Sequence, residues 1–133
     1  MAGAPPEVLA DVSHTATNPA LLDAFTLAIV ANGDETPAYP GFIRPPMDVA
    51  KARKRAREIG MAAAEPRKIA PHSGSYFNEG NFFNAPWREE FWGKNYPKLR
   101  AVKVKYDPDG LFFVHHGVGS EDWSADGFTR LSQ

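Results

Sequence analysis

The stretch Asn84–Tyr106, NAPWREEFWGKNYPKLRAVKVKY, decides the fold because it predicts two helices in immediate succession. Asn84 is placed to cap the first helix. Trp87 and Phe91 of this helix share a face at positions i and i+4. Gly93 is expected to end it as the residue that follows the C-cap. We therefore expect a short helix with an aromatic face, followed at once by a second helix.

The second helix is predicted to begin at Asn95. Pro97 stands in its first turn, where the missing N–H of proline is harmless. Leu99, Val102 and Tyr106 recur at helical spacing, so we expect them to form the buried stripe of this helix.

Two strands are predicted on either side of the helical pair. In residues 24–31, Phe25, Leu27 and Ile29 alternate, and the β-branched end before an Asn-Gly pair favours a buried strand. Leu111–Val114 follows a DPDG turn and is expected to form a second, shorter strand.

A further helix is predicted from Asp48 as its N-cap to about Ala64, after a loop at 33–46 that is rich in proline and glycine. Pro66 is expected to end it. Its surface carries a cluster of basic side chains: Lys51, Arg53, Lys54, Arg55 and Arg57. A solvated helix face explains this cluster better than nucleic-acid binding, because the rest of the chain is acidic.

The predicted fold class is α+β, as a partial domain with two or three helices and few strands. We divide the chain into a loosely ordered arm (1–19), a sheet end with the basic helix (20–72) and the helical pair with its flanks (73–133). Because one or two strands cannot form a sheet face, the sheet is expected to be completed by another chain or domain.

Composition sets the outer limits on function. The chain has 133 residues, 43% of them hydrophobic, and a net charge of −1, so a folded protein is expected and a general polyanion binder is not. It has no cysteine, which excludes a thiolate metal site. Without a membrane-spanning run or a signal pattern, we expect a soluble protein and favour a cytoplasmic location over secretion.

The adjacent pair His115-His116 suggests a metal site at first sight. On a strand, however, neighbouring side chains point to opposite faces, so one ion could not readily use both. No metal site is therefore predicted.

The segment 73–81, SGSYFNEGN, concentrates hydroxyls, amides and a carboxylate. If it is extended, Tyr76 and Asn78 lie on one face and Phe77 and Glu79 on the other. The first face could bind a polar heterocycle, and the second offers a potential base. An edge strand whose polar groups face water is an equally good explanation.

From Ser73 onward the chain resembles the C-terminal segment of berberine-bridge-enzyme-like flavin oxidases, in the vanillyl-alcohol-oxidase superfamily. Three blocks carry this resemblance in order: GSYFNEGNFF, WREEFWGKNYPKLRAVKVKYDPDGLFF and VHHGVGSEDW. It is clear over about 73–123. Upstream it is weaker, and it implies that 20–72 is the end of a substrate-domain sheet and its following helix.

The resemblance implies that FAD is the cofactor. Asn78 would contact the flavin ring, Tyr76 would lie beside it, and His115 and His116 would contact the cofactor as well. Glu79, with Tyr76 as the alternative, would be the catalytic base, because Glu79 stands where the family often has a tyrosine.

The resemblance further implies that the chain is the C-terminal part or a subunit of an FAD-dependent oxidoreductase that oxidises an alcohol-like substrate by hydride transfer. It would need an FAD-binding domain or chain supplied separately. The partners expected are that chain, a small-molecule substrate and a possible homo-oligomer, with neither nucleic acid nor membrane. The alternative is a standalone, non-catalytic module that self-associates or binds a partner.

Overall fold

The computed structural model describes residues 5–33, 46 and 48–131, and these form two compact units. Unit 1 contains residues 1–25 and 72–133, and unit 2 contains residues 26–71. Unit 1 holds the helices α1 (Pro6–Val12), α3 (Trp87–Trp92) and α4 (Tyr96–Tyr106). Unit 2 holds α2 (Val49–Ile69). None of the helices described is both long and apolar enough to cross a membrane.

The predicted helical pair is present, with shifted details. Gly93 separates α3 from α4 with a positive φ of 53°, as expected of a glycine at a helix end. Asn84 does not cap α3, which begins after Pro86. Asn84 is instead buried, and its Nδ2 donates to Glu90 Oε2 at 2.8 Å.

The predicted buried stripe of α4 is wrong at two of its three residues. Leu99 is half-buried, but Val102 and Tyr106 are exposed, Tyr106 by 72%. The face that α4 turns to the chain is polar, because Arg100 pairs with Asp122 and Lys103 pairs with Asp107. Ion pairs with the downstream loop, rather than apolar burial, therefore set the orientation of this helix.

The α+β class is not confirmed, because the described residues contain helices but no strand. Residues 24–31 and 111–114 form no ladder, and the one β-bridge found joins Trp123 to Arg130. Phe25 is 89% exposed, and Leu27 and Ile29 are exposed as well. A strand needs a neighbour for its backbone groups, and no described segment supplies one.

The basic helix begins as predicted and ends later. Asp48 caps α2 by accepting a hydrogen bond from the backbone N–H of Lys51 at 3.0 Å. Pro66 lies inside the helix, one turn before its end at Ile69. The last turn is closed by the N–H of Ala70, which donates to the Pro66 carbonyl at 2.9 Å. Most of the predicted loop at 33–46 lies outside the described residues.

The segment expected to be a loose arm contains α1 and is tied to the helical pair. Asn18 Nδ2 donates to the carbonyl oxygens of Glu89 and Glu90, at 3.1 and 2.7 Å. Asn95 Nδ2 donates to the carbonyl oxygens of Thr15 and Thr17. Hydrogen bonds between asparagine side chains and backbone carbonyls therefore join the N-terminal segment to the junction between α3 and α4.

Candidate functional site

The candidate site contains the polar segment 73–81, which is held against α3. The N–H of Ser75 donates to the carbonyl of Glu90 at 2.8 Å. Phe77 packs against Phe91 and Trp92, with ring centroids 5.6 and 5.1 Å apart. Since Phe91 is among the most buried residues of the described chain, Phe77 anchors the segment to the core.

Tyr76 and Asn78 lie together, as the sequence predicts, although the segment is not a strand. Phe77–Glu79 forms a single 3-10 turn, and Asn78 Nδ2 donates to the Tyr76 hydroxyl at 2.9 Å. Both side chains are exposed, Tyr76 by 52%. The pair keeps its phenolic proton, one amide proton and the amide oxygen available to a ligand.

Glu79 closes the same turn and is exposed. Its backbone N–H donates to the carbonyl of Tyr76 at 3.2 Å, which holds it next to the Tyr76–Asn78 pair. Gly80 follows directly, and a Cβ atom at that position would lie 2.5 Å from Cζ of Phe91. A glycine is required there because the chain passes over the Phe91 ring.

His115 and His116 lie side by side, which corrects the expectation that they point to opposite faces. Their ring centroids are 3.9 Å apart. His116 has a φ of 60°, so the backbone turns at this point instead of continuing as a strand. No cluster of three or more His, Asp or Glu side chains suited to a metal ion occurs in the part of the chain that is described.

Each histidine is stacked on an aromatic ring. His115 lies on Phe82 with centroids 4.0 Å apart, and its Nε2 lies 3.0 Å from the Phe82 carbonyl oxygen. His116 lies parallel to Trp87 at 5.4 Å. Burial lowers the pKa of the His116 imidazole, and the neighbouring charge of His115 lowers it further. His116 is therefore held towards its neutral form.

The structure thus brings the predicted residues together in two groups, and both groups contact α3. Tyr76, Asn78 and Glu79 share a turn that is fixed to α3 through Phe77. The histidine pair contacts Trp87 of α3, and it contacts Phe82, which follows the polar segment 73–81 in the sequence. No contact joins Glu79 to a histidine within the described residues.

Sequence reasoning missed a polar cluster beside the histidines. The Tyr96 hydroxyl donates to the Glu121 carboxylate, 2.5 Å from both of its oxygens, and accepts from the N–H of Gly119 at 3.2 Å. Burial and the hydrogen bond to Glu121 raise the pKa of Tyr96. The available signal was the i, i+4 pair of Tyr96 with Arg100 and the adjacent acids Glu121-Asp122.

One buried polar atom of the described residues lacks a hydrogen-bond partner. Nε1 of Trp92 is buried and has no hydrogen-bond partner among the described residues. A buried donor without a partner is uncommon, and it lies beside Phe77 in the anchoring contact.

Comparison with known proteins agrees with the resemblance seen in the sequence. Residues 75–119 match the family model described as berberine and berberine like. The chain is 51% identical over 61 residues to the VAO-type flavoprotein oxidase VAO615 of Thermothelomyces thermophilus, which covers 46% of this chain and 11% of the oxidase. It is 41% identical over 83 residues to the FAD-linked oxidoreductase ZEB1 of Gibberella zeae, covering 62% of this chain and 14% of that protein.

A third relative, the FAD-linked oxidoreductase notD' of Aspergillus versicolor, is 52% identical over 56 residues, which are 42% of this chain and 9% of notD'. The matched part of the chain therefore spans only about a tenth of the length of these curated relatives. No solved structure gives a significant match. Tyr76, Asn78, Glu79 and both histidines all lie within residues 75–119, the part of the chain that is similar to the berberine and berberine like family model.

Proposed function

We propose that this chain acts as the C-terminal part or subunit of an FAD-dependent oxidoreductase that oxidises an alcohol-like substrate. The single observation that carries the proposal is the exposed turn Phe77–Glu79, which presents Tyr76, Asn78 and Glu79 together within the segment that matches flavin-linked relatives.

The residues of this turn fit the edge of a flavin ring. Such an edge alternates carbonyl oxygens with ring nitrogens. Asn78 offers both a donor and an acceptor, and the Tyr76 hydroxyl still has its proton to donate. Bound FAD would supply the hydride acceptor, with dioxygen as the final oxidant.

The remaining steps belong to this chain. Glu79 would accept the proton of the substrate hydroxyl, and Tyr76 is the alternative base. Asn78 would position the cofactor. His115 and His116, which contact α3 through Trp87, would contact the cofactor as well. Because Glu79 is exposed here, a separately supplied FAD-binding chain must cover this turn before water is excluded from it.

A first test asks whether the chain holds FAD at all. We would record the visible absorption spectrum of the purified protein, then again after FAD is added and free cofactor is removed. Retained flavin bands support a cofactor site formed by the chain or its oligomer. Their absence means that the FAD-binding chain is required, and the next test supplies one.

The decisive test is a chimera with the Thermothelomyces oxidase. Its corresponding segment would be replaced by residues 75–119 of this chain, the part that matches the family model. If these residues serve a flavin oxidase, the chimera retains flavin, and a substrate of the parent enzyme reduces it. A folded chimera that retains flavin but is not reduced would contradict the proposal.

In that chimera Glu79→Gln is expected to slow flavin reduction by about 100-fold or more, the usual loss when a general base is removed. Glu89→Gln is the matched control, because Glu89 is an exposed carboxylate on α3 outside the turn. Equal reduction rates for both variants would remove Glu79 from the mechanism.

The second candidate is the non-catalytic module that self-associates. It is favoured by the large number of exposed apolar side chains, such as Phe83, Leu111 and Phe112, beside only two buried hydrophobic residues in the described chain. A chimera that loses flavin, together with self-association of the free chain, would favour this candidate.

A further inference from the structure

A cleft of about 180 Å³ lies between the C-terminal half of α4 and the loops that follow it. The residues that line it and matter here are Arg100, Lys103, Asp107, Asp122, Trp123 and Arg130. None of them belongs to the turn or to the histidine pair described above. The volume is close to that of a cavity of about 150 Å³ that holds one benzene molecule.

The charges around the cleft leave one cation over. Arg100 pairs with Asp122 and lies 3.7 Å from Glu121, and Lys103 pairs with Asp107, so both of these cations already have carboxylate partners. The guanidinium of Arg130 lies over the Trp123 ring, 5.8 Å from its centroid. No carboxylate of the described residues pairs with Arg130, so its guanidinium is the cation of the cleft that can receive an anion.

Backbone contacts hold Arg130 and Trp123 together. The two residues form an antiparallel β-bridge. The N–H of Leu131 donates to the carbonyl of Asp122 at 2.7 Å, and the N–H of Ser124 donates to that of Thr129 at 2.8 Å. The backbone at both residues is therefore fixed before any ligand arrives, which reduces the entropy that binding costs.

Gly110 also lies close to the indole. It has a φ of 67°, and a Cβ atom at that position would lie 2.4 Å from Cζ2 of Trp123. A glycine is therefore required where the turn after α4 passes the Trp123 ring.

We propose that this cleft binds a small aromatic monocarboxylate, with its ring against Trp123 and its carboxylate on Arg130. The volume suits one six-membered ring, and an indole face favours an aromatic partner. A guanidinium binds a carboxylate through two parallel N–H···O bonds. Asp107 and Asp122 also line the cleft, so a single negative charge on the ligand is preferred over two.

The test uses the full chain and sodium benzoate, without FAD, so its result is independent of the proposed oxidoreductase function. We would titrate benzoate and follow the indole N–H signal of Trp123 by NMR. Saturable movement of this signal is expected. Benzamide has the same ring without the charge and is expected to bind about tenfold more weakly or worse.

Two variants of Arg130 locate the carboxylate. Arg130→Gln is expected to weaken benzoate binding about tenfold, and Arg130→Lys, which keeps the charge but loses the planar fork, by less. Arg53→Gln is the control, since Arg53 is an exposed arginine of α2 outside the cleft. Circular dichroism would show that each variant keeps its helices.

The proposal is overturned if benzoate gives no saturable shift, if benzamide binds as well as benzoate, or if Arg130→Gln binds like the unchanged protein. Should Arg130→Gln fail to fold, the benzoate-to-benzamide ratio and the Arg130→Lys variant decide the question.

Discussion

Tyr96 joins α4 to the loop after the histidines through one hydroxyl group. It donates to Glu121 and accepts from the N–H of Gly119. Tyr96→Phe leaves a partly buried carboxylate and a backbone N–H without this partner. We expect the free energy of unfolding to fall by about 1.5–3 kcal/mol, the usual range for a hydrogen bond to a charged group.

Urea unfolding measured side by side with Tyr106→Phe would check this. Tyr106 lies on the same helix but is 72% exposed, so its hydroxyl contributes little to stability. Equal losses for the two variants would show that the Tyr96 contact does not stabilise the fold.

The lowered pKa of His116 predicts how the stability of the fold depends on pH. Its pKa is lowered in the folded chain by burial and by the charge of His115, so the unfolded chain binds this proton more readily. The contribution of His116 to stability is therefore complete above the ordinary histidine pKa of about 6.5. It is lost as the pH falls from there through the folded-state pKa.

His116→Asn should reduce the loss of stability between pH 7.5 and pH 5.5, and asparagine tolerates the positive φ of this position. His72→Asn is the control, because His72 is exposed. Urea midpoints at the two pH values give the comparison. A pH dependence that His116→Asn leaves unchanged would contradict the assignment.

Single residues show where the sequence was informative. Alternation placed Tyr76 beside Asn78, and their side chains do meet, although through a 3-10 turn. The same rule placed the histidines on opposite faces, and there it failed because His116 turns the backbone. A spacing rule holds only while the backbone keeps the period that the rule assumes.

At the scale of elements, two glycines have opposite roles. Gly93 separates α3 from α4 with a φ of 53° and a ψ of −138°, and a Cβ atom there would lie 2.6 Å from Oδ1 of Asn18. Gly93→Ala should therefore destabilise unit 1 by at least about 1–3 kcal/mol, the cost of a strained backbone conformation.

Gly60 is the matched control, since it lies within α2 and has nothing within 4 Å of an added Cβ atom. Gly60→Ala should raise helicity and stabilise α2 by up to about 1 kcal/mol. Urea unfolding and circular dichroism at 222 nm measure both variants. A neutral Gly93→Ala would mean that the junction adapts to a side chain.

Local signals predicted the existence of α2, α3 and α4, but they missed α1 and predicted strands that the described residues do not form. Asp48 caps α2 as expected because a cap needs only its own first turn. The segment 24–31 has the alternation of a strand, yet a strand also needs a neighbour, and the sequence of this segment cannot supply one. Pro66 was expected to end α2, yet the helix runs one turn further. Proline loses its own N–H bond but keeps its carbonyl as an acceptor, and the N–H of Ala70 donates to that carbonyl.

At the scale of the whole molecule, the described residues contain a small apolar core. In the described residues Trp87 and Phe91 are buried, while many large apolar side chains remain exposed in both units. The sequence predicted an incomplete domain from its shortage of strands. It could not show which side chains remain uncovered, since Val102 and Tyr106 of α4 were expected to be buried and are exposed.

This exposure predicts that the free chain self-associates. Phe83 and Phe112 of unit 1 are 72% and 75% exposed, and covering apolar surface releases about 25 cal/mol per Å². We expect the sedimentation coefficient to rise with protein concentration, and the double variant Phe83→Ser/Phe112→Ser to reduce that rise. Ile69→Ser is the control, since it removes an exposed apolar side chain from unit 2 instead. A sedimentation coefficient typical of a monomer at every concentration would show that this apolar surface does not drive association, and would count against the non-catalytic module.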